Sequence, residues 1–441
     1  MQMKVRPVYV VGRGWPLLPQ PDGSLEVLTD QMAVNSKVES LDRQLREGLN
    51  TDVALLEPAV LRRASDIAQL GEHLAGVNAL LVYVMGLMPL AKLFDLGLPV
   101  IAFSGEYTPT MALYAFPVEL RESYANLTVA LDFPEIEGQI RLLSVRERLR
   151  NTRVALIGLP LTFSGHWEHL PDAELVTRKL GVEIVLVSGV EFLAEMRGIE
   201  EAKVDAVARE WATNAQAVTE PTQSDILQVA RVYLATGKIL KKMNAQAAAV
   251  GCLEMMYSFD LEPPCFALAA LRDEGIPASC EADVSALLTM LVLGYLANKP
   301  AYMGNVVRAD PENNLVMISH GCTPSRMSGL DQPPQPYTLV HSYSRYFTRG
   351  SGLTSFVNLE KGRQVTVARM ARNLDRICAA AGEIVGCRDT LCDRTTLDLR
   401  VKDARQFFHN APGNHHVVVY GNHLAQLRGL CRILGMDLVE S

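Results

Sequence analysis

The fold is decided by the run GVEIVLVSG (181–189) and by the two runs that follow it, AQAAAVGCLE (245–254) and IPASCEAD (276–283). All three are largely apolar, and segments of helical periodicity separate them. A similar run, TRVALIGLP (152–160), precedes them. Strands that alternate with helices predict an α/β domain with a parallel sheet. We therefore predict such a domain over residues 151–300.

The same alternation fills the first third of the chain. Apolar runs lie at 5–14, 54–58, 78–86 and 98–105, and helical patterns lie at 31–49 and 60–75. This order predicts an N-terminal α/β domain over residues 1–150. We expect the charged segment 122–151 to be a helical connector, and we expect both α/β domains to be doubly wound.

After Pro300 the sequence changes to short, often alternating runs that Gly, Pro, Asn and Asp set apart. Such runs are typical of an antiparallel β domain or barrel. A helix around 422–434 is expected to close the chain. The complete prediction is an α/β protein with two tandem doubly wound α/β domains, followed by an antiparallel β-barrel-like domain over residues 301–441.

The composition argues against several classes of partner. The 441 residues include 49 Asp and Glu against 42 Lys and Arg, for a net charge of −7. Such a chain is a poor partner for nucleic acid or for an anionic membrane surface. The longest nearly apolar run, Val284–Ala297, is shorter than the about 20 residues that a bilayer span needs. We expect it to be a buried helix, and we expect no membrane association.

Known cofactor and nucleophile motifs are absent from the sequence. No G-x-G-x-x-G fingerprint, P-loop or Gly-x-Ser-x-Gly elbow occurs, so dinucleotide, kinase and serine-hydrolase chemistry have no support. The 8 cysteines form no C-x-x-C pair, and the N-terminus has no long apolar leader. We therefore expect a cytoplasmic protein with reduced core thiols.

Glu281 is the candidate catalytic carboxylate. It lies where an apolar strand ends and an apolar helix begins, which in an open α/β sheet is the edge where ligands bind. The alternative is that Glu281 or Asp283 is an ordinary first-turn acid favoured by the helix dipole. Glu254 follows another strand at the same edge. We assign Glu254 to substrate binding, and a buried acid paired with an arginine is an equally good account of it.

Three histidines add a second signal. His320, His415 and His416 stand at predicted strand ends beside Gly or Pro turns. Each alone is as well explained as a structural residue. Together with an acid they form an oxygen and imidazole set suited to a divalent transition metal such as Mn²⁺. Consecutive residues of a strand point to opposite faces, so only one of His415 and His416 can be a ligand.

The segment GHWEH (165–169) has a weaker claim. It carries His166 and His169 without a third ligand that the sequence reveals. We interpret it as a loop at the carboxyl edge of the sheet, with Trp167 as a candidate substrate-binding wall.

Taken together, these features resemble the L-fucose isomerase and L-arabinose isomerase superfamily. The resemblance is best over 245–331, where AAAVGCLE, PASCEADVSALLTML and ISHGCTPSRM look like the central segment of that family. The stretch GNHHVVVYGNHLAQLRGLCRILGM (413–436) is similar to its closing strand and helix. The resemblance implies an aldose–ketose isomerase that acts on a sugar or sugar derivative through a cis-enediol, with Mn²⁺ or another divalent cation.

The resemblance also implies roles for single residues. Glu281 falls on the family's first metal-binding acid and proton-transfer base. His416 falls on its C-terminal histidine ligand, and His320 resembles the histidine of the arabinose branch. His415 is then assigned to substrate binding. The family builds its pockets where subunits meet, so we expect a closed homo-oligomer, a trimer or a hexamer.

One position departs from the family pattern. The fucose branch has its second catalytic acid where this chain has Asn305, and an amide can coordinate a metal but cannot act as a base. Asp310 compensates only if its loop folds back, and it is otherwise a plain turn acid. Two alternatives therefore stay open: a catalytically reduced member that binds a carbohydrate, and an enzyme with altered chemistry such as epimerisation or lyase action.

Overall fold

The structure is a computed structural model that describes residues 3–12, 16–19, 25–27, 31–49, 53–86, 88–104, 126–160, 169–342, 352–390 and 394–441. The chain divides into two compact units, Met1–Glu147 and Arg148–Ser441. The predicted boundary near residue 300 falls inside the second unit and stays a prediction.

The first unit is built on a parallel sheet. Its described elements are β1 (Met3–Val10), β2 (Pro16–Pro19), β3 (Leu25–Val27), α1 (Gln31–Gly48), β4 (Val53–Leu55), β5 (Ala59–Leu61), α2 (Asp66–Glu72), β6 (Ala79–Val84), α3 (Ala91–Phe94), β7 (Val100–Phe103), β8 (Leu127–Val129) and α4 (Phe133–Arg150). The strand order is β4-β1-β6-β7-β8, with β5 also paired to β1, and all these pairs are parallel. Every residue of β6 is buried, which explains its continuous apolar sequence.

Two segments of this unit differ from the sequence prediction. Residues Leu127–Val129, expected in a helical connector, form the edge strand β8 beside β7. The side-chain amide of Asn126 donates to the carbonyls of Phe94 and Leu98, which fixes the chain at the start of β8. Val60 and Leu61, expected at the start of a helix, belong to β5 and pair with β1 instead.

The second unit begins with another parallel sheet. The elements of this part are β9 (Arg153–Ile157), α5 (Ala173–Leu180), β10 (Glu183–Val187), α6 (Gly189–Arg197), α7 (Glu201–Asn214), β11 (Ala217–Val218), α8 (Gln223–Met243), β12 (Ala247–Val250), α9 (Cys252–Phe259), α10 (Cys265–Asp273), β13 (Ala278–Ser279) and α11 (Val284–Ala297). The sheet order is β10-β9-β12-β13. The four strands predicted from the apolar runs are thus confirmed, whereas α6 and α7 were not predicted. The doubly wound arrangement of either sheet stays a prediction.

The chain continues into a closed antiparallel barrel, as the sequence predicts. Its elements are β14 (Tyr302–Asp310), β15 (Leu315–Ser319), β16 (Tyr337–Val340), β17 (Thr354–Val357), β18 (Gln364–Met370), β19 (Arg376–Asp389), β20 (Arg394–Val401), α12 (Ala404–Asn410), β21 (His415–Tyr420), α13 (Leu424–Leu434) and β22 (Asp437–Glu440). Six strands follow the order β18-β21-β14-β15-β20-β19, and β19 pairs with β18 to close the barrel. Outside the barrel, β16 pairs with β11 on one side and with β17 on the other.

Helix α11 joins the parallel sheet to the barrel. Its residues are apolar on all sides, and it packs against β12 and β13 as well as against β18 and β21. The backbone N–H of Met370, at the end of β18, donates to Thr289 Oγ1 on this helix at 2.9 Å. A helix that is apolar all round is expected in a buried position. The prediction of a buried helix over Val284–Ala297 is confirmed, and no helix among the described residues has the length and apolar character to cross a bilayer.

Candidate active site

The site lies where β13 ends and α11 begins. Strand β13 is followed by Cys280 and Glu281, and Asp283 is the N-cap of α11, with its Oδ1 accepting from the N–H of Ala286 at 2.8 Å. Strand β12 pairs with β13 in parallel and leads into α9, which carries Glu254. Glu254 and Glu281 therefore follow the carboxyl ends of neighbouring strands, where the sequence places them.

The backbone at Glu281 is strained. Glu281 and Ala282 have φ values of 57° and 51°, in the left-handed region that non-glycine residues rarely adopt. Two hydrogen bonds hold this turn: Ala282 N–H donates to the Val250 carbonyl at 2.8 Å and Asp283 N–H to the Cys280 carbonyl at 3.0 Å. Each such conformation costs about 1–3 kcal/mol and persists only where the surroundings impose it, which is common at functional sites.

Two histidines from the barrel converge on the Glu281 carboxylate. His320 follows β15, and its Nε2 lies 4.0 Å from Glu281 Oε1. His415 opens β21, and its Nε2 lies 3.7 Å from Glu281 Oε2. Both rings are buried, with 2% and 1% of their surface exposed. The His415 Nε2 atom has no hydrogen-bond partner among the described residues.

The prediction that His416 faces Glu281 is wrong, because the alternation of the strand turns His416 the other way. His416 pairs with Gly304, and its ring packs against Phe407 of the barrel core at a centroid separation of 4.9 Å. Its Nδ1–H donates to the carbonyl of Asn414 at 3.0 Å. His415 occupies the position that the sequence analysis gave to His416.

Asp283 holds His415 in place. Its Oδ2 accepts from His415 Nδ1 at 2.8 Å, so the opposite ring nitrogen, Nε2, is directed at Glu281. Arg369 of β18 pairs with the same carboxylate at 2.9 Å and also donates to the His415 carbonyl at 2.7 Å. His169 Nε2 lies 3.6 Å from Asp283 Oδ2. A carboxylate that fixes one nitrogen of a histidine leaves the other free to bind a cation.

Burial and neighbouring charges shift the pKa values of these buried groups in opposite directions. Burial raises the pKa of Glu281, although the nearby His415 counteracts part of this effect. Burial alone would raise the pKa of Asp283, but Arg369 and His415 together hold it well below its usual range. Burial opposes a charge on His415, yet Glu281 and Asp283 together raise its pKa. Burial and the nearby His415 lower the pKa of His320 to about 3, so that ring is neutral at pH 7.

Two overlapping groups have the composition of a cation site. Glu281, His320 and His415 form the first, and His169, Asp283 and His415 form the second; the ligand atoms within each group lie within 4.8 Å of one another. Two imidazoles and a carboxylate suit a divalent transition metal. The first group fits best, because Asp283 in the second is already held by Arg369. In the geometry shown, Gly321 N–H donates to His320 Nδ1, so a neutral ring carries its proton on Nε2 and must release or transfer it to bind a cation.

The structure also locates Asn305, where the resemblance led us to expect an acid. Asn305 pairs with His415 across β14 and β21, so both side chains leave the same face of the barrel sheet. The Asn305 Oδ1 atom accepts from Asn414 Nδ2 at 2.7 Å. Asp310 is half-buried, and its side chain accepts from the N–H groups of Glu312 and Asn313. Asp310 therefore has the plain turn role.

The structure gives less information about Glu254, Trp167 and His166, which the sequence also singled out. Glu254 is half-buried, and its Oε2 accepts from the N–H of Leu159 at 2.8 Å, in the turn that follows β9. This contact fixes the turn that follows β9, and it takes the place of the arginine partner that one interpretation expected. Trp167 and His166 lie outside the described residues. The substrate-binding roles of Glu254 and Trp167 stay predictions.

Sequence reasoning missed three members of the site. Asp283 was read only as a possible first-turn acid, His169 was set aside for want of a third ligand, and Arg369 was not singled out. Arg369 and Asp283 are 86 positions apart and meet only because α11 packs on β18. A charged residue inside the apolar strand RQVTVARM is the one sequence signal that could have pointed to Arg369.

Exchanging each adjacent histidine for glutamine will separate their roles. We expect His415→Gln to weaken Mn²⁺ binding by about 10-fold or more, because it removes the nitrogen directed at Glu281. His416→Gln is an equally buried matched control and should change the Mn²⁺ affinity less than about 2-fold, since that ring faces the barrel core. Isothermal titration calorimetry on both purified variants measures the difference. A larger loss with His416→Gln would contradict the assignment.

Comparison with known proteins gives relatives of one kind. No family model matches the chain. The chain is 24% identical over 319 residues to a sulfoquinovose isomerase from a Clostridium species, a match that covers 69% of this chain and 68% of that protein. It is 24% identical over 207 residues to sulfoquinovose isomerases from Priestia aryabhattai and Priestia megaterium, and there it spans 45% of the length of each relative. The chain is therefore similar to sugar isomerases, at low identity.

Proposed function

We propose that this chain is a divalent-metal-dependent aldose–ketose isomerase that acts on a sugar or sugar derivative. The proposed ligands are Glu281, His320 and His415, with Mn²⁺ as the first cation to test. The observation that carries the proposal is the His415 ring: it is buried, Asp283 fixes its Nδ1, and its Nε2 is directed at a carboxylate 3.7 Å away without a hydrogen-bond partner among the described residues. The names of the relatives support the same class of reaction.

The donor set suits the chemistry of an isomerase. A bound divalent cation would polarise O1 and O2 of the open-chain sugar and so acidify the C2–H bond next to the C1 carbonyl. Glu281 is the only carboxylate of the group that no arginine neutralises among the described residues, which leaves it able to accept a proton. Asp283 cannot serve, because Arg369 and His415 keep it ionised and hydrogen-bonded.

Glu281 is the proposed proton carrier. Its carboxylate takes the proton from C2 of the open-chain aldose, which forms a cis-enediol, and returns it to C1 on the same face, while a second proton passes from O2 to O1. The raised pKa of Glu281 makes its carboxylate a stronger base than an exposed one. Asn305 can donate a hydrogen bond to a sugar oxygen but cannot carry the second proton.

Isomerisation in D₂O tests the proposal. The full chain is freed of metal, loaded with Mn²⁺, and given sulfoquinovose and a panel of unsubstituted aldoses, and products are followed by NMR. We expect a ketose to form only with the cation and to carry deuterium from solvent at C1, because an enediol exchanges its proton. Deuterium at C1 distinguishes the enediol route from a hydride shift, which would leave C1 without it, and the absence of product with every divalent cation would overturn the proposal that this chain is an enzyme.

A catalytically reduced sugar-binding protein is the second candidate, and the amide at Asn305 is the observation that favours it. Under that proposal, calorimetry detects sugar binding, but neither ketose nor deuterated aldose accumulates. An epimerase would give deuterated aldose without ketose, so the same NMR spectra identify the third alternative. The closed homo-oligomer stays a prediction that light scattering of the full chain can test.

Asn305→Asp tests whether position 305 contributes to the cation site. The new carboxylate would leave the same sheet face as His415, and we expect it to tighten Mn²⁺ binding by about 10-fold, since an added charge attracts the cation strongly where water is partly excluded. Calorimetry gives the affinity and NMR the turnover. Asn414→Asp, which adds the same charge to the neighbouring amide, is the control. An unchanged affinity would place residue 305 outside the coordination sphere.

A further inference from the structure

Four buried cysteine side chains meet beside the site just described. Cys265 begins α10, Cys280 follows β13, and Cys322 follows His320 in the barrel; their Sγ atoms all lie within 4.8 Å of one another. Cys252, at the first turn of α9, brings its Sγ to 3.0 Å from that of Cys280. All four are free thiols and essentially inaccessible to solvent. The sequence analysis read them as separate core thiols, because 70 residues of chain separate the first from the last.

A buried cation beside this thiol cluster has no salt bridge in the described part of the chain; burial lowers the pKa of Arg272, and the charge of Asp273 offsets only part of that effect. Arg272 is 1% exposed; its Nε donates to the Ala278 carbonyl at 2.8 Å and its Nη1 to the carbonyl of Cys322. Its Nη2 has no hydrogen-bond partner, and no carboxylate pairs with it in the described part of the chain. A buried charge without a partner is strongly unfavourable. Deprotonated sulfur in the neighbouring cluster would supply the missing negative charge.

We propose that Cys265, Cys280, Cys322 and Cys252 bind one soft d¹⁰ divalent cation, Zn²⁺, at a site separate from the one that holds the catalytic metal. Thiolates select such ions, and four sulfurs make the closed tetrahedral set of a structural zinc site. At Zn–S distances of about 2.3 Å, the ligands of one ion lie about 3.8 Å apart. The three Sγ atoms of the cluster are already at this scale, and Cys252 Sγ, which now contacts Cys280, would have to move to become the fourth ligand.

The charge balance supports a divalent ion. Three thiolates are neutralised by Zn²⁺ together with the guanidinium of Arg272. The fourth thiolate, Cys252, stands at the N-terminus of α9 and accepts from the N–H of Glu281 at 3.4 Å, and both features stabilise negative sulfur. The same thiols in their protonated form would add no negative charge to balance Arg272.

The proposed ion would have a structural effect on the site. Cys280 precedes Glu281 in the chain, and Cys322 is two residues after His320. An ion bound to both sulfurs would therefore join the end of the parallel sheet to the barrel directly behind these two side chains. It would also help to hold the strained turn at Glu281.

Metal analysis of the full chain tests the proposal without reference to turnover. Wild type is purified in a phosphine reductant, and its metals are measured by mass spectrometry. It is then stripped of metal and titrated with Co²⁺ under the same reductant. We expect about one Zn²⁺ per chain, and a strong near-ultraviolet sulfur-to-cobalt charge-transfer band that Zn²⁺ abolishes. Absence of both from the reduced wild-type protein would overturn the proposal, and so would an isolated Cys252–Cys280 disulfide without metal.

Matched variants distinguish the two metal sites. Cys265→Ser and Cys322→Ser should lower bound Zn²⁺ at least 10-fold, whereas Cys431→Ser and Cys378→Ser, which change cysteines of α13 and β19, should not. Glu281→Gln should keep Zn²⁺ and the cobalt–sulfur band. A band that survives in both Cys265→Ser and Cys322→Ser would come from other thiols, and Zn²⁺ that is lost in Glu281→Gln would lie at the carboxylate and imidazole site; either result would overturn the proposal. A chain that fails as an isomerase but keeps the band leaves this inference intact.

Discussion

Replacing Glu281 by glutamine is expected to lower the turnover of an aldose by about 10²–10⁴-fold, the range typical of a lost general base. Glutamine keeps the size of the side chain, but it removes the group that accepts the proton from C2 and one anionic ligand at the same time. The backbone of the turn is held by main-chain hydrogen bonds to Val250 and Cys280, so the fold should survive. NMR of the metal-loaded variant in D₂O measures the loss.

Glu254→Gln is the matched control for this prediction. Glu254 follows the neighbouring strand and is half-buried, yet it contacts a backbone N–H of Leu159 and none of the grouped ligands. We expect its exchange to affect turnover less than about 10-fold, through the position of the turn at Leu159. Both variants should melt close to wild type. If Glu281→Gln keeps more than a few per cent of wild-type turnover, Glu281 does not transfer the proton.

The architecture could be predicted because hydrophobic periodicity and turn residues encode it directly. The runs at 152–160, 181–189, 245–254 and 276–283 became parallel strands, and the short runs after Pro300 became a barrel. Leu127–Val129 was missed because a three-residue edge strand with half-buried side chains has little apolar signal. Such a strand is defined by its hydrogen-bonded neighbour rather than by its own sequence.

The choice between His415 and His416 shows where sequence reasoning stops. Strand β21 reads HHVVVY, and all six residues are buried, because one face meets the barrel core and the other meets α11. No alternation of polar and apolar residues therefore tells which face a given residue occupies. The resemblance assigned the second histidine, and only the register of β14 with β21 resolved the question. The positive φ at Glu281 is likewise invisible in a sequence, since nothing about Glu requires it.

Replacing Arg369 by methionine is expected to lower the free energy of unfolding of the second unit by about 3–5 kcal/mol at pH 7, the usual cost of removing one partner from a buried ion pair. Asp283 and Arg369 are both fully buried, and the guanidinium also donates to the carbonyl of His415. Methionine fills much of the volume but leaves the Asp283 carboxylate without its main counter-charge. Chemical denaturation of the metal-free chain, followed by circular dichroism, measures the change.

The dependence on pH makes this prediction specific. In the wild type the pKa of Asp283 is lowered, so the stability that the pair contributes is fully present above the ordinary aspartate pKa of about 3.9 and is lost only as the pH falls through the lower folded-state value. In Arg369→Met, burial should instead raise the pKa of Asp283. Protonation of Asp283 should then reduce the destabilisation of the variant as the pH falls from 7 towards 5. The difference in the free energy of unfolding between the two proteins should therefore shrink over that interval.

Arg363→Met is the control, because the ion pair of Arg363 with Glu360 is about half exposed and is worth about 0–1 kcal/mol. A difference for Arg369→Met that matches this control, or that stays constant between pH 7 and 5, would show that the ion pair does not hold Asp283 in its charged form.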